Sequence, residues 1–133
     1  MKKTNFNKIQ EFHDVFGGIP ADMDEKLVLR ERLIAEECAE TMEALSDVRA
    51  NNTAENRAEF LKELVDLLYV TYGTIHTMGW DADAAFEQVH ASNMSKVDET
   101  GKPQYREDGK ILKGPNYKKP DMKELVNEAS KIA

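Results

Sequence analysis

The stretch Glu36-Glu37-Cys38-Ala39-Glu40 decides how this chain of 133 residues is interpreted, together with Glu63-Leu64-Val65-Asp66 about one helix later. At about 100° per residue, the three glutamates of the first stretch lie within one third of a helix circumference, on the side that carries Leu33. Glu63 likewise falls inside the apolar arc of its own helix. Both helices are therefore predicted to direct carboxylates toward their apolar seam.

Carboxylates held together at an apolar seam require a compensating positive charge. Two like charges about 4 Å apart repel by roughly 4 kcal/mol at an effective dielectric near 20, and desolvation adds to that. Mg²⁺ prefers oxygen ligands and is usually held by a few carboxylates, water and phosphate. Either acidic pattern alone is also typical of a solvated helix face. Two facing helices that both carry it inside a bundle favour a metal site.

The length, net charge and cysteine content limit the class of protein. A length of 133 residues indicates one domain. A net charge of −7 argues against binding to nucleic-acid polymers or to membrane surfaces, which requires basic patches. The single cysteine, Cys38, indicates a reducing compartment, and no apolar run approaches the roughly 20 residues of a membrane span. We expect a cytoplasmic protein without a membrane partner.

Apolar spacing predicts four long helices joined by short connections, which is typical of an all-α, up-and-down four-helix bundle. The third helix has the densest apolar content and is predicted to be the central core helix. The predicted N-caps of the last three helices are Asp22, with Glu25 completing a capping box, Thr53 and Asp81. The predicted helices span residues 4–16, 22 to 47–49, 54–78 and 82–96.

A long basic loop and a short terminal helix are predicted after the bundle. Residues 96–119 contain seven Lys or Arg against four Asp or Glu, a net charge of +3 that leaves −10 for the rest. Asp108-Gly109 predicts a tight turn between Tyr105 and Ile111. The last helix, from Asp121, is expected to carry Leu125, Ala129 and Ile132 on one side. We therefore predict a single domain, 1–133, with a helical core at 4–97 and a tail at 98–133.

The loop also offers groups that suit phosphate. Lys96, Lys113 and Asn116 can bind phosphate oxygens, Gly114-Pro115 allows close backbone approach, and Tyr117 can stack or hydrogen-bond. A basic tail that contacts nothing would have the same composition. Charge alone leaves both interpretations open.

A ferritin-like di-iron centre is the main rival among metal sites. Glu87-Gln88-Val89-His90 is a Glu-x-x-His motif, but that class uses two such motifs and this chain has one. A cluster of oxygen ligands without imidazole favours Mg²⁺ or Mn²⁺ over iron.

The two acidic motifs together resemble the signature of the all-α nucleoside triphosphate pyrophosphohydrolases, the superfamily of MazG, dimeric dUTPases and phosphoribosyl-ATP pyrophosphohydrolase. The tail segments Asn93-Met94-Ser95-Lys96 and Lys113-Gly114-Pro115-Asn116-Tyr117 resemble its single-domain MazG-like branch. The resemblance covers roughly residues 6–121.

The resemblance implies a reaction and a set of site residues. Water would attack the α-phosphorus of a (deoxy)nucleoside triphosphate and release pyrophosphate, a reaction that cleans up or balances nucleotide pools. Glu37 would position or deprotonate that water. Mg²⁺, with Mn²⁺ as a possible substitute, would be coordinated by Glu36, Glu40, Glu63 and Asp66.

The same resemblance implies how substrate and subunits are arranged. Base and sugar would lie near the first helix, and members assemble as dimers or tetramers, so a homodimer or tetramer is expected. The implied phosphate-binding residues are Asn93, Lys96, Lys113, Asn116 and Tyr117, and the implied base- and sugar-binding residues are Gln10, Asp14 and Phe16.

Two alternatives stay open at this point. One is an activity of the phosphoribosyl-ATP pyrophosphohydrolase type. The other is a non-enzymatic helical interaction module that metal stabilises. Replacing Glu37 by Gln separates the second alternative from an enzyme, because a purely structural site predicts little functional change.

Overall fold

The structure, a computed structural model, describes residues 2–132, with side chains as far as Asn127. Within these residues it contains five helices and no strand, so the predicted all-α class is confirmed. The side chains of Ala129 and Ile132, predicted to share a face of the last helix, lie outside the described residues. The helices are α1 (Asn5–Phe16), α2 (Met23–Ala50), α3 (Ala54–Thr77), α4 (Ala82–Met94) and α5 (Lys123–Ile132).

The helix starts follow from their capping residues. The Asp22 carboxylate accepts a hydrogen bond from the backbone N–H of Glu25 at 3.1 Å, and Thr53 and Asp81 cap α3 and α4 in the same way. Each cap satisfies an N–H group that the first helical turn leaves unpaired. All three predicted caps are confirmed, whereas α4 ends two residues earlier than predicted because the backbone turns at Ser95.

The first compact unit of the chain, Met1–Met78, contains α1, α2 and α3. The three-residue connection 51–53 folds α3 back along α2 into an antiparallel hairpin, and α1 packs on α3. Phe6 and Ile9 of α1 and Ala44 of α2 are its buried apolar side chains. This core is small, so most apolar side chains of the unit lie at or near its surface.

Part of the apolar surface of α3 has no cover within this unit. Leu61 is 63% exposed, Val65 49% and Leu68 52%, and Leu64 lies beside them. Their spacing of three to four residues places them along one side of the helix. The helix predicted to be the central core helix, α3, contacts both α1 and α2 and is thus central within the first unit. It nevertheless presents to solvent an apolar surface that we call the apolar α3 stripe (Leu61, Leu64, Val65 and Leu68).

The second compact unit, Gly79–Ala133, contains α4, the basic loop and α5. The predicted turn at Asp108-Gly109 is confirmed, because Tyr105 and Ile111 form an antiparallel bridge. The division into a core at 4–97 and a tail at 98–133 stays a prediction.

Candidate metal centre

Three carboxylates meet between α2 and α3. Glu37 of α2 and Glu63 and Asp66 of α3 each offer an oxygen, and these oxygens lie within 4.8 Å of one another. The Glu63 side chain is only 7% exposed. The spacing of Glu63 and Asp66 puts both on one side of α3. The hairpin therefore concentrates negative charge at a place partly closed to water.

Two oxygens of this cluster have no hydrogen-bond donor. Oε2 of Glu37 and Oε2 of Glu63 are buried, and no described residue donates to them. A buried acceptor without a donor is destabilising, and more so when it carries charge. Divalent Mg²⁺ and Mn²⁺ prefer oxygen donors, and the three carboxylates supply them in one place. The residues present therefore fit such an ion.

The hydroxyl of Thr41 fixes the register of the two helices at this level. Thr41 is buried, and its Oγ1 donates to the carbonyl oxygen of Glu37 at 2.6 Å and lies 3.2 Å from that of Glu63. The Thr41 side chain thus contacts the backbone of one cluster residue on each helix, Glu37 on α2 and Glu63 on α3. This contact holds Glu37 opposite Glu63.

Among the residues whose side chains are described, Lys62 is the cation that lies against the cluster. Nζ of Lys62 is 2.9 Å from Oδ2 of Asp66 and 3.2 Å from Oε1 of Glu63. These hydrogen bonds, first that to Asp66, raise the pKa of Lys62. Burial opposes the ionisation of Glu63, but its hydrogen bonds to Glu59 and Lys62 lower its pKa.

More acids continue the cluster along the hairpin. The charge of Glu37 raises the pKa of Glu40, and a hydrogen bond shared with Glu63 raises the pKa of Glu59. A pocket of about 280 Å³ is lined here by Glu40, Glu43, Ala44, Asp47, Glu59 and Glu63.

The structure groups the predicted metal and catalytic acids unevenly. It brings together Glu37, Glu63 and Asp66, with Glu40 beside them. Glu36 is 56% exposed and lies 3.9 Å from Nε of Arg32, one turn earlier on α2. The structure therefore separates the two adjacent glutamates, since Glu37 faces α3 and Glu36 faces solvent.

Lys62 and Glu59 lie at the cluster but are not among the residues predicted from the sequence. Both carry a readable signal, because Lys62 is four residues before Asp66 and Glu59 is four residues before Glu63. This spacing places each of them over the cluster on α3.

The residues predicted to bind base and sugar are spread along α1. Gln10 is half-buried and accepts a hydrogen bond from the side chain of Asn7 at 3.1 Å. Asp14 is exposed, and Phe16 is 71% exposed with its ring 4.8 Å from that of Phe12. The structure does not gather these three residues into one group.

A cationic group occupies another level of the first unit. Arg30 is 6% exposed, and its guanidinium donates to Oγ1 of Thr74 at 3.1 Å and to the carbonyl oxygen of Val70 at 3.3 Å. The ring of His13 stacks on that of His76 at 5.2 Å. Gly73 makes room for this arrangement, because a Cβ there would lie 2.9 Å from Nη2 of Arg30.

The stability of the first unit should depend on the protonation of His13. Burial lowers the pKa of His13, as do the nearby charges of His76 and Arg30, against opposing effects of Gly17 and Asp14. The unfolded chain, with a histidine pKa near 6.5, therefore binds this proton more readily. The resulting stability is present above about pH 6.5 and is lost as the pH falls below it.

We expect His13→Gln to reduce the loss of Tm between pH 7.5 and 5.5 by about 2 °C, since solvent screening limits the effect of a partly exposed group to roughly half a kcal/mol. Thermal unfolding at the two pH values measures this. His90→Gln, on an exposed side chain of α4, is the control. The same pH dependence in His13→Gln and in the native protein would contradict the prediction.

The predicted phosphate-binding residues all belong to the second unit. Nζ of Lys113 lies 4.9 Å from the ring centre of Tyr117, and the Tyr117 N–H donates to the carbonyl oxygen of Gly114. The N–H of Gly114 in turn donates to the carbonyl oxygen of Lys96 at 3.1 Å. The structure thus brings Lys96, Lys113 and Tyr117 into one segment, with Asn93 at the end of α4 and Asn116 exposed.

A family model described as phosphoribosyl-ATP pyrophosphohydrolase matches residues 9–93, more than half of the chain. The chain belongs to this family. The phosphoribosyl-ATP pyrophosphohydrolase family is part of the MazG-like all-α superfamily, so the resemblance is confirmed. Membership indicates a hydrolase that acts on a phosphoric anhydride bond of a nucleotide. The match covers both acidic motifs, and of the predicted phosphate-binding residues it includes Asn93.

Two further findings accompany the family match. No curated protein matched the chain. None of the described helices combines the length and apolar composition of a membrane span.

Proposed function

We propose that this member of the family is a Mg²⁺-dependent nucleoside triphosphate pyrophosphohydrolase of the cytoplasm that converts (deoxy)nucleoside triphosphates to monophosphates and pyrophosphate. The observation that carries the proposal is the cluster of Glu37, Glu63 and Asp66, with two buried oxygens that lack donors. Family membership supports pyrophosphate release, and the lone Cys38 suits a reducing compartment.

The metal would be held by Glu37, Glu63 and Asp66, with Glu40 as a further ligand beside them. A bound Mg²⁺ lowers the pKa of water and stabilises charge on phosphate oxygens. The chain itself holds the carboxylates in register through Thr41 and excludes bulk water from Glu63. Mn²⁺ would substitute, because it accepts the same oxygen ligands.

The roles of Glu36 and Glu37 remain proposals that substitution can separate. The grouping favours Glu37 as a metal ligand, whereas the family resemblance implies Glu36 as a ligand and Glu37 as the acid that activates water. The exposure of Glu36 and its partner Arg32 support the first assignment.

Phosphate and base would be bound by groups outside the acidic hairpin. We propose that Asn93, Lys96, Lys113, Asn116 and Tyr117 supply hydrogen bonds and positive charge to the polyphosphate. The net charge of +3 on residues 96–119 supports this assignment. We propose that Gln10, Asp14 and Phe16 bind base and sugar. Phe16 offers an exposed ring on which a base could stack.

Phosphoribosyl-ATP is the second candidate substrate. The family model carries this description over residues 9–93 and supports it equally. Both candidates share one reaction, hydrolysis at an α-phosphorus with release of pyrophosphate, so the same carboxylates would serve either.

A product assay tests the proposal. Purified protein is incubated with Mg²⁺ and, separately, with each canonical ribo- and deoxynucleoside triphosphate and with phosphoribosyl-ATP. Pyrophosphate release from a triphosphate that stops with EDTA is the expected result. Turnover of phosphoribosyl-ATP alone would establish the second candidate, and no turnover of any compound would favour the non-enzymatic metal-stabilised module.

We also propose a homodimer formed through the apolar α3 stripe. Monomeric soluble proteins rarely expose contiguous apolar patches larger than roughly a few hundred Å², and such patches mark interaction sites. Self-association about a two-fold axis would place the stripe of one copy against that of the other. A tetramer would need a second interface in addition.

Leu68→Lys should convert this dimer to monomer, because the dimer would bury a charge within the apolar α3 stripe. Light scattering coupled to size exclusion gives the mass. Leu112→Lys, at an exposed leucine of the basic loop, should leave the dimer unchanged. A native protein of monomeric mass would overturn the proposed dimer.

A further inference from the structure

Lys62 makes a contact that neither the family match nor the proposed reaction explains. Its ammonium group bridges Glu63 and Asp66, at 3.2 Å and 2.9 Å, and these are two of the three clustered acids. The Lys62 side chain itself is 60% exposed. A flexible surface side chain therefore places its charge on the acids proposed to hold the metal.

This contact differs from an ordinary surface ion pair. Exposed pairs at a spacing of four residues contribute little, because solvent screens both charges. Here one partner, Glu63, is 7% exposed, and its second oxygen has no donor. A buried carboxylate needs a compensating cation far more than an exposed one does. Among the described residues, Lys62 is the cation that meets this need.

The ammonium of Lys62 and a divalent ion would compete for the same oxygens. The lysine ammonium is a compact cation with three N–H donors, and it contacts both Glu63 and Asp66. Mg²⁺ bound to these oxygens would approach them to about 2.1 Å. Two cations held by one pair of carboxylates repel each other, so binding of the more highly charged divalent ion favours release of the ammonium. The exposed four-carbon stem of Lys62 allows the ammonium to swing into solvent.

We propose that Lys62 is a built-in competitor that sets the cation specificity of the centre: its ammonium holds Glu63 and Asp66 until a divalent ion displaces it. This rests on the proposed metal centre. A monovalent cation carries no more charge than the tethered ammonium and lacks its high local concentration. Lys62 thereby excludes Na⁺ and K⁺, admits Mg²⁺ and Mn²⁺, and keeps the acids in place without metal.

Binding of Mn²⁺ without nucleotide tests the competition. Calorimetry is carried out in 150 mM KCl on the native protein, Lys62→Met, Lys62→Arg and the control Lys8→Met, which removes a charge from an exposed side chain of α1. We expect Mn²⁺ to bind Lys62→Met at least five-fold more tightly than the native protein, Lys62→Arg within two-fold of native, and Lys8→Met unchanged. We also expect KCl to weaken Mn²⁺ binding more in Lys62→Met than in native protein.

The native protein provides an independent measurement that needs no variant to fold. In nuclear magnetic resonance spectra, the side-chain signals of Lys62 should move to the positions of solvent-exposed lysines as Mg²⁺ is added. Two results would overturn this inference while leaving the proposed metal centre intact. One is that the Lys62 signals stay in place at saturating Mg²⁺. The other is that Lys62→Met binds Mn²⁺ no more tightly than the native protein does. If neither the native protein nor any of the variants binds Mn²⁺, both the proposed metal centre and this inference are wrong.

Discussion

Glu37→Gln is expected to lower the affinity for Mn²⁺ by at least ten-fold and turnover by at least a hundred-fold, whereas Glu36→Gln changes either by less than two-fold. Glu37 shares the cluster with Glu63 and Asp66, while Glu36 lies at the surface beside Arg32. Changes next to metal ligands already cost ten- to a hundred-fold in affinity or activity, so loss of a ligand should cost at least as much. The two substitutions are matched, since both replace a carboxylate by an amide on neighbouring residues of α2.

Metal affinity by calorimetry and turnover by pyrophosphate release are measured on both variants. If Glu37→Gln loses turnover but keeps its metal affinity, Glu37 activates water as the resemblance implies. A loss of affinity in Glu36→Gln would contradict the assignment made from the structure. Unchanged function in both variants would point to the non-enzymatic alternative.

Gly114→Ala is expected to open the basic loop. A Cβ at Gly114 would lie 1.9 Å from the carbonyl oxygen of Val97 and 3.1 Å from that of Lys96. These atoms belong to the backbone, so they cannot rotate away as a flexible side chain could. The hydrogen bond from the Gly114 N–H to the Lys96 carbonyl oxygen should therefore break, and Lys113 and Tyr117 should lose their fixed positions.

Hydrogen exchange measures this opening directly. The amides of Gly114, Tyr117 and Lys118, which are hydrogen-bonded within this segment, should lose protection, while α2 and α3 stay protected. Lys119→Ala, at an exposed position a few residues away, is the control and should preserve protection. Retained protection in Gly114→Ala would show that the segment rearranges without loss of these contacts. In the proposed enzyme, nucleotide affinity should fall with protection.

The helices and turns were predictable because their signals are local. Asp22, Thr53 and Asp81 each cap a helix through a hydrogen bond that spans three residues, so the pattern and the contact lie in the same short segment. The turn between Tyr105 and Ile111 is set by Asp108-Gly109, where Gly109 adopts a φ of 88°. Such contacts do not depend on how distant elements pack.

The division of roles within the acidic cluster was not predictable in the same way. Glu36, Glu37 and Glu40 share one third of the helix circumference, so their spacing cannot show which of them faces α3. That choice depends on the rotation and register of α2 against α3, which Thr41 fixes by a contact across 22 residues. The exposure of the apolar α3 stripe is non-local too, because hydrophobicity predicts burial without stating whether the same chain or another one provides the cover.

The two buried charged side chains among the described residues, Arg30 and Glu63, belong to one hairpin. Arg30 is bonded to α3 at Val70, seven residues after Glu63, which is about 10 Å along the helix axis. The same guanidinium also donates to Oγ1 of Thr74, eleven residues after Glu63, so the two charges occupy separate levels of α3. Each charge has its own partners, which are the Thr74 hydroxyl and the Val70 carbonyl oxygen for Arg30 and the ammonium of Lys62 for Glu63. Removal of either charge by substitution is therefore expected to leave the hydrogen-bond partners of the other charge in place.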